Sequence, residues 1–475
     1  MIFNSFDFAI FLPIVFSLYW CLGSRRVKAQ NILLVAASYF FYGTWDWRFL
    51  FLIFVSSLAD FVIGRFMQKS NKNSYRKRLL WLSLGLNLGL LGFFKYFNFF
   101  IDSFADTFSF LGVTFDETRL NILLPVGISF YTFQTLSYTI DIYRRKINAC
   151  NDPVAFFAYV SFFPQLVAGP IERAKNLLPQ FVDQRVFNYS KAADGVRQII
   201  WGLFKKVVIA DNCSLIVNSI FLNYQYEDSL TLCLGAFLFL FQVYCDFSGY
   251  SDIAIGLGRL CGFHLMKNFN FPFFSRDLPE FWKKWHISLT SWFVDYIYIP
   301  LGGSRNGLNT KVRNVLIIFL VSGLWHGANW TFIFWGALCG LAQVPYLLLG
   351  RNGRYVTYVA KGRYLPNFKE LLQMSGVITF MSFSMIFFRS PDISVAWSYL
   401  IGILKFDFSL SVLDNYHFVL LIMGLLVWEW MFRSREHGLE IGHLTTKVRW
   451  SLYSVFIWLI LFNFGSNQEY IYFQF

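Results

Sequence analysis

The chain has 475 residues, of which 56% are hydrophobic, 21% are aromatic and only 15% are charged. Soluble domains contain about 25% charged residues, and a soluble core of this length would not bury fifty-nine Phe. The formal net charge of +13 gathers in short loops between apolar runs, which argues against nucleic-acid binding and is typical of a polytopic membrane protein in a lipid bilayer.

The first apolar run covers residues 6–22, and no basic residue precedes it as one would in a secretory signal peptide. Arg25, Arg26 and Lys28 follow it directly. Because cytoplasmic loops carry an excess of Lys and Arg, we expect the N-terminus outside the membrane and the first loop in the cytoplasm.

The next four apolar runs keep this alternation; they cover residues 31–43, 49–63, 79–100 and 122–140. The loop at 65–78 carries six basic residues and no acid, whereas the outer loop carries Asp102, Asp106, Asp116 and Glu117. Residues 144–146 are basic again. The five runs together therefore give one consistent orientation.

The middle of the chain is less regular. Residues 154–167 are too few to cross a bilayer, which takes about 20 helical residues, so they predict a re-entrant or interfacial segment. Residues 172–206 are mixed and basic and predict helices on the cytoplasmic surface. Residues 207–221 are expected to cross outward, and a long apolar run follows at 230–257.

Residues 259–292 are basic and aromatic, which places them at the cytoplasmic side. The run 314–350 has no charged residue and basic loops on both sides, so it either re-enters and returns near His326 and Gly327 or forms two short helices. Further apolar runs lie at 371–388, 418–432 and 450–464. We expect about 10–12 membrane segments in a single membrane-embedded domain that covers residues 1–475.

The most informative stretch covers residues 279–330. Its start predicts a helix with Asp277 as the N-cap and a proline in the first turn, where the missing N–H does no harm. On a period of 3.6 residues, one face of this helix would collect Trp282, His286, Leu289 and Phe293. His286 is therefore expected on an apolar stripe.

His326 lies inside the uncharged run, and an ionisable side chain at membrane depth indicates function. A neutral imidazole there can accept a proton, which suits a general base that activates a hydroxyl. The alternative is a structural histidine that bonds Ser322 or Asn329, one helical turn away on either side. His286 either packs on its helix face or donates to a thioester carbonyl, whose developing oxyanion needs a donor.

Other polar residues have simpler interpretations. Asp246 and Asp252 are expected to be structural acids, with local partners at Ser248, Tyr250 and Ser251. Lys283 and Lys284 are either interfacial anchors or a site that attracts the phosphates of an acyl-CoA. The seven Cys have no CxxC or CxxH spacing, so we expect neither a metal site nor disulfides. A G-x-S-x-G elbow and a Walker loop are also missing from the sequence.

Several motifs occur together in one order along the chain: NILLVAASYFFYG (31–43), PVGISFYTFQ (125–134), FFPQLVAGP (162–170), DFSGYSD (246–252), FWKKWHISLT (281–290), YIPLGG (298–303), GLWHG (323–327) and YIYFQF (470–475). In this order they resemble the membrane-bound O-acyltransferase family, and most of all its bacterial alginate O-acetyltransferase branch, with peptidoglycan and cellulose O-acetylation proteins beside it. The resemblance covers nearly the whole chain.

The resemblance implies a ring of tilted helices around a central tunnel, with His326 as the catalytic base near its centre and His286 as a second active-site residue. The substrate tunnel would further include Trp285, Trp325, Asn329, Asp246, Asp252 and Gln134. The implied acyl donor is cytoplasmic acetyl-CoA, with no bound cofactor, and the acceptor is an extracytoplasmic polysaccharide. The branch works with a separate SGNH-hydrolase-like partner, and the location implied is the bacterial cytoplasmic (inner) membrane.

Two alternatives remain open at this point. Within the same family, a carrier-protein thioester could supply D-alanyl groups for teichoic acid, and a dedicated carrier encoded nearby would favour that activity. Outside the family, a glycan or lipid transporter would show inverted repeats with paired broken helices, and the sequence shows none.

Overall fold

The computed structural model describes residues 1–110, 120, 122–407, 409, 416–465 and 470–471. Every regular element in these ranges is a helix, which confirms the predicted all-α class. Asp116, Glu117 and the last four residues of the terminal motif lie outside the described ranges. The chain divides into two compact units, Met1–Gly195 with Ala254–Met266 and Val196–Ile253 with Lys267–Phe475. The expectation of a single domain stays a prediction.

The first unit contains the complete helices α1 to α9. Their bounds are α1 Phe6–Cys21, α2 Val27–Asp46, α3 Arg48–Lys69, α4 Asn73–Leu91, α5 Phe97–Phe110, α6 Ile128–Tyr143, α7 Pro153–Ser161, α8 Phe163–Leu166 and α9 Ala174–Val182. A π-helical turn, Gly92–Tyr96, joins α4 to α5.

The remaining helices lie wholly or partly in the second unit. They are α10 Tyr189–Leu203, α11 Asp211–Leu222, α12 Ser229–Leu260, α13 Leu278–Trp282, α14 Ile287–Phe293, α15 Gly307–His326, α16 Trp330–Leu348, α17 Phe368–Arg389, α18 Ile393–Leu404, α19 Tyr416–Met431 and α20 Thr446–Phe462. Two π-helical turns, Phe204–Ala210 and Val294–Tyr298, follow α10 and α14.

Six helices in the described part of the chain are long and apolar enough to cross a membrane: Arg48–Lys69, Asn73–Ser109, Ser229–Leu260, Gly307–His326, Trp330–Leu348 and Phe368–Arg389. Shorter apolar helices occupy Phe6–Cys21, Ile393–Leu404 and Tyr416–Met431. The length and composition of these helices agree with the polytopic membrane protein predicted from the sequence.

The run 314–350 falls in two helices, α15 of 20 residues and α16 of 19, so the expected pair of helices is present but its members are not short, since each could cross a membrane. Glycines on α15 and α16 allow the backbones of the two helices to come into contact. A methyl group added to Gly323 would lie 2.3 Å from the carbonyl oxygen of Phe332, and one added to Gly336 would lie 2.3 Å from that of Phe319. Small residues permit such close helix contact, so α15 and α16 form a tightly joined pair.

Three expectations need correction or completion. The prediction of surface helices over residues 172–206 is wrong at the C-terminal end of this range, because Lys205 and Lys206 are only 2% and 1% exposed. Residues 154–167 form the short, largely buried helices α7 and α8, in keeping with the prediction that they are too few for a full span. The helix α18 was not predicted at all, since its twelve residues are fewer than a membrane span needs.

Candidate active site

A cavity of about 280 Å³ in the second unit brings both predicted histidines to one surface. Its walls come from α13, α14, α15 and α16 and are mostly aliphatic or aromatic. The polar residues that line it are Lys283, His286, Thr290, Tyr298, Ser322, His326, Gln343 and Asn352. Ligand pockets measure about 300 to 1,000 Å³ and combine apolar walls with a few polar groups, so this cavity is a candidate site for a slender ligand.

His326 is the last residue of α15 and is 7% exposed. Aromatic rings enclose it, with centroid distances of 4.9 Å to Trp325, 5.3 Å to Trp335 and 5.2 Å to Phe388. The packing of these rings fixes the imidazole, as a catalytic group requires. A helix C-terminus also favours positive charge, which stabilises the imidazolium that forms when a base accepts a proton.

The single helix predicted through residue 293 is wrong, because α13 ends at Trp282 and α14 begins at Ile287. Asp277 does cap α13, since its carboxylate accepts from the backbone N–H of Glu280 at 2.8 Å. The break has a tertiary cause: the N–H of Ile287 donates to the carbonyl of Asn268 at 2.9 Å instead of continuing a helix.

His286 occupies the break with a left-handed backbone, φ 44° and ψ 53°. Positive φ is uncommon outside glycine, although His, Asn and Asp are enriched there. The altered backbone nevertheless keeps the predicted grouping, because the cavity is lined by Trp282, His286, Leu289 and Phe293. The shared surface that the sequence predicted is therefore confirmed, although it is built from two short helices.

The His286 ring is almost wholly buried among aromatic groups. It meets Phe247 edge-on at 4.6 Å and lies 5.6 Å from Trp325. Burial lowers the pKa of the His286 imidazole well below its usual range, and His326 lowers it further. His286 is therefore neutral near pH 7, with one N–H donor and one acceptor nitrogen.

A second cavity, of about 570 Å³, is polar and basic. Its lining includes two carboxylates, of Glu280 and Glu436, and six cationic side chains: Lys267, Lys283, Lys284, Lys361, Arg433 and Arg435. Glu280 is already paired with Arg276 at 3.0 Å and Lys284 at 2.9 Å. Lys283 lines this basic cavity and the histidine cavity alike. An anionic ligand would thus be attracted next to the apolar site.

Of the other predicted tunnel residues, two lie at the histidines and one does not. Trp285 lines the histidine cavity, and Trp325 packs against both imidazoles. Asn329 instead ends the turn between α15 and α16. Its side chain accepts from the N–H of Thr331 at 3.0 Å and donates to the carbonyl of Pro391 at 2.7 Å, so it is a helix cap.

Asp246 and Asp252 are structural, as expected, but their main partners are not the local hydroxyls. Lys206 lies 2.6 Å from Asp246 and 2.8 Å from Asp211, and Lys205 lies 2.6 Å from Asp252. The second oxygen of Asp246 accepts from the N–H of Ile471 at 2.8 Å. Breaking a buried ion pair leaves an uncompensated charge, so these acids hold α12, the π-helical turn and the C-terminal residues together.

Gln134 belongs to the first unit. Its amide donates to the carbonyl of Tyr159 at 2.7 Å and accepts from Gln165 at 3.2 Å, and Tyr159 in turn donates to the carbonyl of Gln134 at 3.1 Å. These contacts give the side chain a packing role within that unit. Its assignment to a substrate tunnel stays a prediction.

Like Asn352, Gln343 is a polar cavity residue that sequence reasoning missed. It is 7% exposed and lies on α16, four residues from Cys339 and four from Leu347. The sequence feature that could have revealed Gln343 is its polar amide side chain inside the uncharged 37-residue stretch 314–350. Lys205 and Lys206 were missed as partners of the aspartates because their ion pairs join residues about forty positions apart.

The family model of membrane-bound O-acyltransferases matches residues 36–387. The chain therefore belongs to the membrane-bound O-acyltransferase family and is a multi-pass membrane protein that transfers acyl groups to oxygen. This membership confirms the resemblance read from the motifs, and it sets aside the transporter alternative.

Individual relatives support the same assignment. The chain is 38% identical to the probable alginate O-acetylase AlgI of Pseudomonas aeruginosa over 431 residues, 90% of this chain and 79% of that protein. It is 35% identical to the peptidoglycan O-acetyltransferase of Helicobacter pylori over 439 residues, 85% of this chain and 79% of that protein. It is 24% identical to the teichoic acid D-alanyltransferase of Bacillus subtilis over 276 residues, 55% and 67% of the two chains.

Proposed function

We propose that the protein transfers acetyl groups from cytoplasmic acetyl-CoA across the membrane for the O-acetylation of an extracytoplasmic polysaccharide, by way of an SGNH-type partner. The observation that carries this proposal is one apolar cavity lined by His286 and His326 that meets a basic cavity at Lys283. A CoA thioester has the complementary form, with anionic phosphates at one end, a slender neutral arm and a reactive carbonyl at the other end.

In the proposed reaction His326 is the general base. It takes the proton of the acceptor hydroxyl as that oxygen attacks the thioester carbonyl carbon. His286 donates a hydrogen bond to the carbonyl oxygen, where negative charge develops in the tetrahedral intermediate. The carbon–sulfur bond then breaks, the acetyl group stays on the acceptor oxygen, and the imidazolium of His326 returns its proton to the leaving thiolate.

The length of the apolar cavity suits the neutral arm of the donor. On α15 the lining residues run from Val315 to His326, and eleven residues of helix span about 16 Å. An extended pantetheine arm is of comparable length. A thioester held at His326 therefore places its phosphate end near Lys283 and the basic cavity.

The charge and size of the basic cavity favour CoA over a carrier protein. CoA brings a diphosphate, a 3′-phosphate and an adenosine, whereas a carrier-bound arm brings one phosphodiester. Six cations around about 570 Å³ match the larger, more highly charged group. The carrier-dependent alternative still has one supporting observation, the 24% identity to a teichoic acid D-alanyltransferase.

The relatives named for alginate and peptidoglycan acetylation support a cell-envelope polysaccharide as the acceptor. In this proposal the protein resides in the bacterial cytoplasmic membrane with its N-terminus outside, as the charges of its first loops indicate. A separate SGNH-hydrolase-like protein on the outer side would pass the acetyl group to the polymer.

The test uses purified protein in liposomes with acetyl-CoA labelled in the acetyl group, with and without the SGNH-type partner and a polysaccharide acceptor. We expect label to leave CoA in the wild type and to remain on CoA in His326→Ala. The same assay with an acetylated or D-alanylated carrier protein decides between the donors. Transfer from the carrier alone, with acetyl-CoA inert, would overturn the proposed donor.

A further inference from the structure

Gln343 is a buried polar side chain to which the acyl-transfer steps give no task. It is 7% exposed and lines the histidine cavity. Its amide nitrogen is buried without a hydrogen-bond partner among the described residues. Buried polar groups are nearly always bonded in folded proteins, so a donor left open at a cavity wall points to a ligand.

Trp282 presents a second donor of the same kind. It lies on α13 and lines the same cavity, and its indole N–H is also buried without a hydrogen-bond partner in the described part of the chain. Its ring is held by Phe319 at 5.1 Å and Trp335 at 6.0 Å. The cavity thus offers two fixed N–H donors in walls that are otherwise mostly apolar.

The position of Gln343 fits the middle of a bound arm. It lies eight residues after Trp335, whose ring packs 5.3 Å from that of His326, and eight helical residues span about 12 Å. Gln343 is therefore too far along α16 to touch the reacting carbonyl. It is also short of the basic cavity, whose lining does not include it.

We infer that Gln343 and Trp282 donate hydrogen bonds to the amide carbonyls of the donor's pantetheine arm. The inference rests on the proposed function, because it takes a pantetheine thioester as the donor. Pantetheine carries two amides on an otherwise apolar chain, and apolar walls with two separated N–H groups complement that chemistry. Both residues are positioning residues, since they bind the arm and leave proton transfer to His326.

The test measures inhibition of acetyl-CoA-dependent transfer by two fragments of the donor, free pantetheine and adenosine 3′,5′-bisphosphate. In Gln343→Leu we expect the inhibition constant of pantetheine to rise about tenfold, the worth of one hydrogen bond, and that of the bisphosphate to stay unchanged. Trp282→Phe should act in the same direction. The matched control is Gln242→Leu, the same exchange at a glutamine that lines neither cavity.

Each outcome decides a different point. An unchanged pantetheine constant in an active Gln343→Leu enzyme would overturn the inference and leave the proposed function standing. An equal rise for both fragments would mean a general loss of structure and would also overturn it. If the wild-type enzyme takes acetyl groups from a carrier protein and none from acetyl-CoA, the proposed donor is wrong and the inference falls with it.

Discussion

His286 and His326 are forty positions apart in sequence, yet their rings lie 6.3 Å apart, and Trp325 packs against both of them. One imidazole sits at a helix C-terminus, and the other occupies a left-handed break between two short helices. A proton acceptor and a hydrogen-bond donor at this separation can act on the two sides of one carbonyl addition. The predictions below test these roles and the structure that supports them.

His326→Ala should abolish acetyl transfer without unfolding the protein. Removing a general base slows turnover by about 10²- to 10⁴-fold. The measurement is kcat for labelled acetyl transfer in liposomes, with a thermal melt to establish folding. His264→Ala is the control, because that histidine is exposed and lines neither cavity. Near-normal turnover in His326→Ala would contradict the assignment.

The buried His286 should make stability fall in acid. Its pKa in the folded protein is depressed, so the unfolded chain, with an ordinary pKa near 6.5, binds a proton that the folded chain excludes. Stability is therefore complete well above pH 6.5 and declines as the pH falls through and below that value.

This decline is measured by denaturant unfolding at a series of pH values. In His286→Asn the contribution should vanish, because Asn does not titrate and tolerates positive φ. If wild type and His286→Asn show the same pH dependence, the protonation argument fails.

Reversing charge in the basic cavity should weaken donor binding selectively. Lys283→Glu and Lys361→Glu should each raise KM for acetyl-CoA about threefold or more, with the effect shrinking in high salt. Lys369→Glu is the matched control, since this exposed lysine lines neither cavity. If all three variants kept the wild-type KM for acetyl-CoA, the phosphates of CoA would have to bind outside the basic cavity.

Asp246→Ala should lower stability by about 3 kcal/mol, because it leaves the buried Lys206 with one carboxylate instead of two. It also removes the acceptor for the N–H of Ile471. Denaturant unfolding measures the loss. The control is Asp46→Asn, which breaks an exposed pair with Arg48 and should hardly change the melting temperature. A fully stable Asp246→Ala protein that has lost only turnover would instead indicate catalysis.

Gly336→Ala should destabilise the protein by about 1–3 kcal/mol, because its methyl group would meet the carbonyl oxygen of Phe319 at 2.3 Å. Gly376→Ala is the contrasting change on α17, where no atom lies within 4 Å of the added methyl. It should be neutral or stabilising by about 0.5–1 kcal/mol, as expected for an open helical site. If both substitutions shifted the melting temperature in the same direction, the close contact between α15 and α16 would be contradicted.

The sequence predicted the site well where chemistry and periodicity were local. His326 was predicted as a site residue because it is a lone histidine in an uncharged run, and His286 because it falls on an apolar stripe at helical spacing. The capping role of Asp277 followed from its neighbours. Tertiary contacts decided the rest. The carbonyl of Asn268 accepts from the N–H of Ile287 and so interrupts the predicted helix before α14, and Lys205 pairs with Asp252 forty-seven positions away. Local pattern carries no information on either contact.

The glycine contact between α15 and α16 has one more consequence. His326 stands on the first of these helices and Gln343 on the second, and interlocked backbones cannot slide past each other. The pair therefore keeps the distance between Gln343 and His326 constant. A donor bound at Gln343 places its thioester carbonyl at one fixed position relative to His326. A bulkier acyl group would have to extend beyond His326 into Trp335 and Phe388, so selection for a small acyl group falls on that aromatic wall.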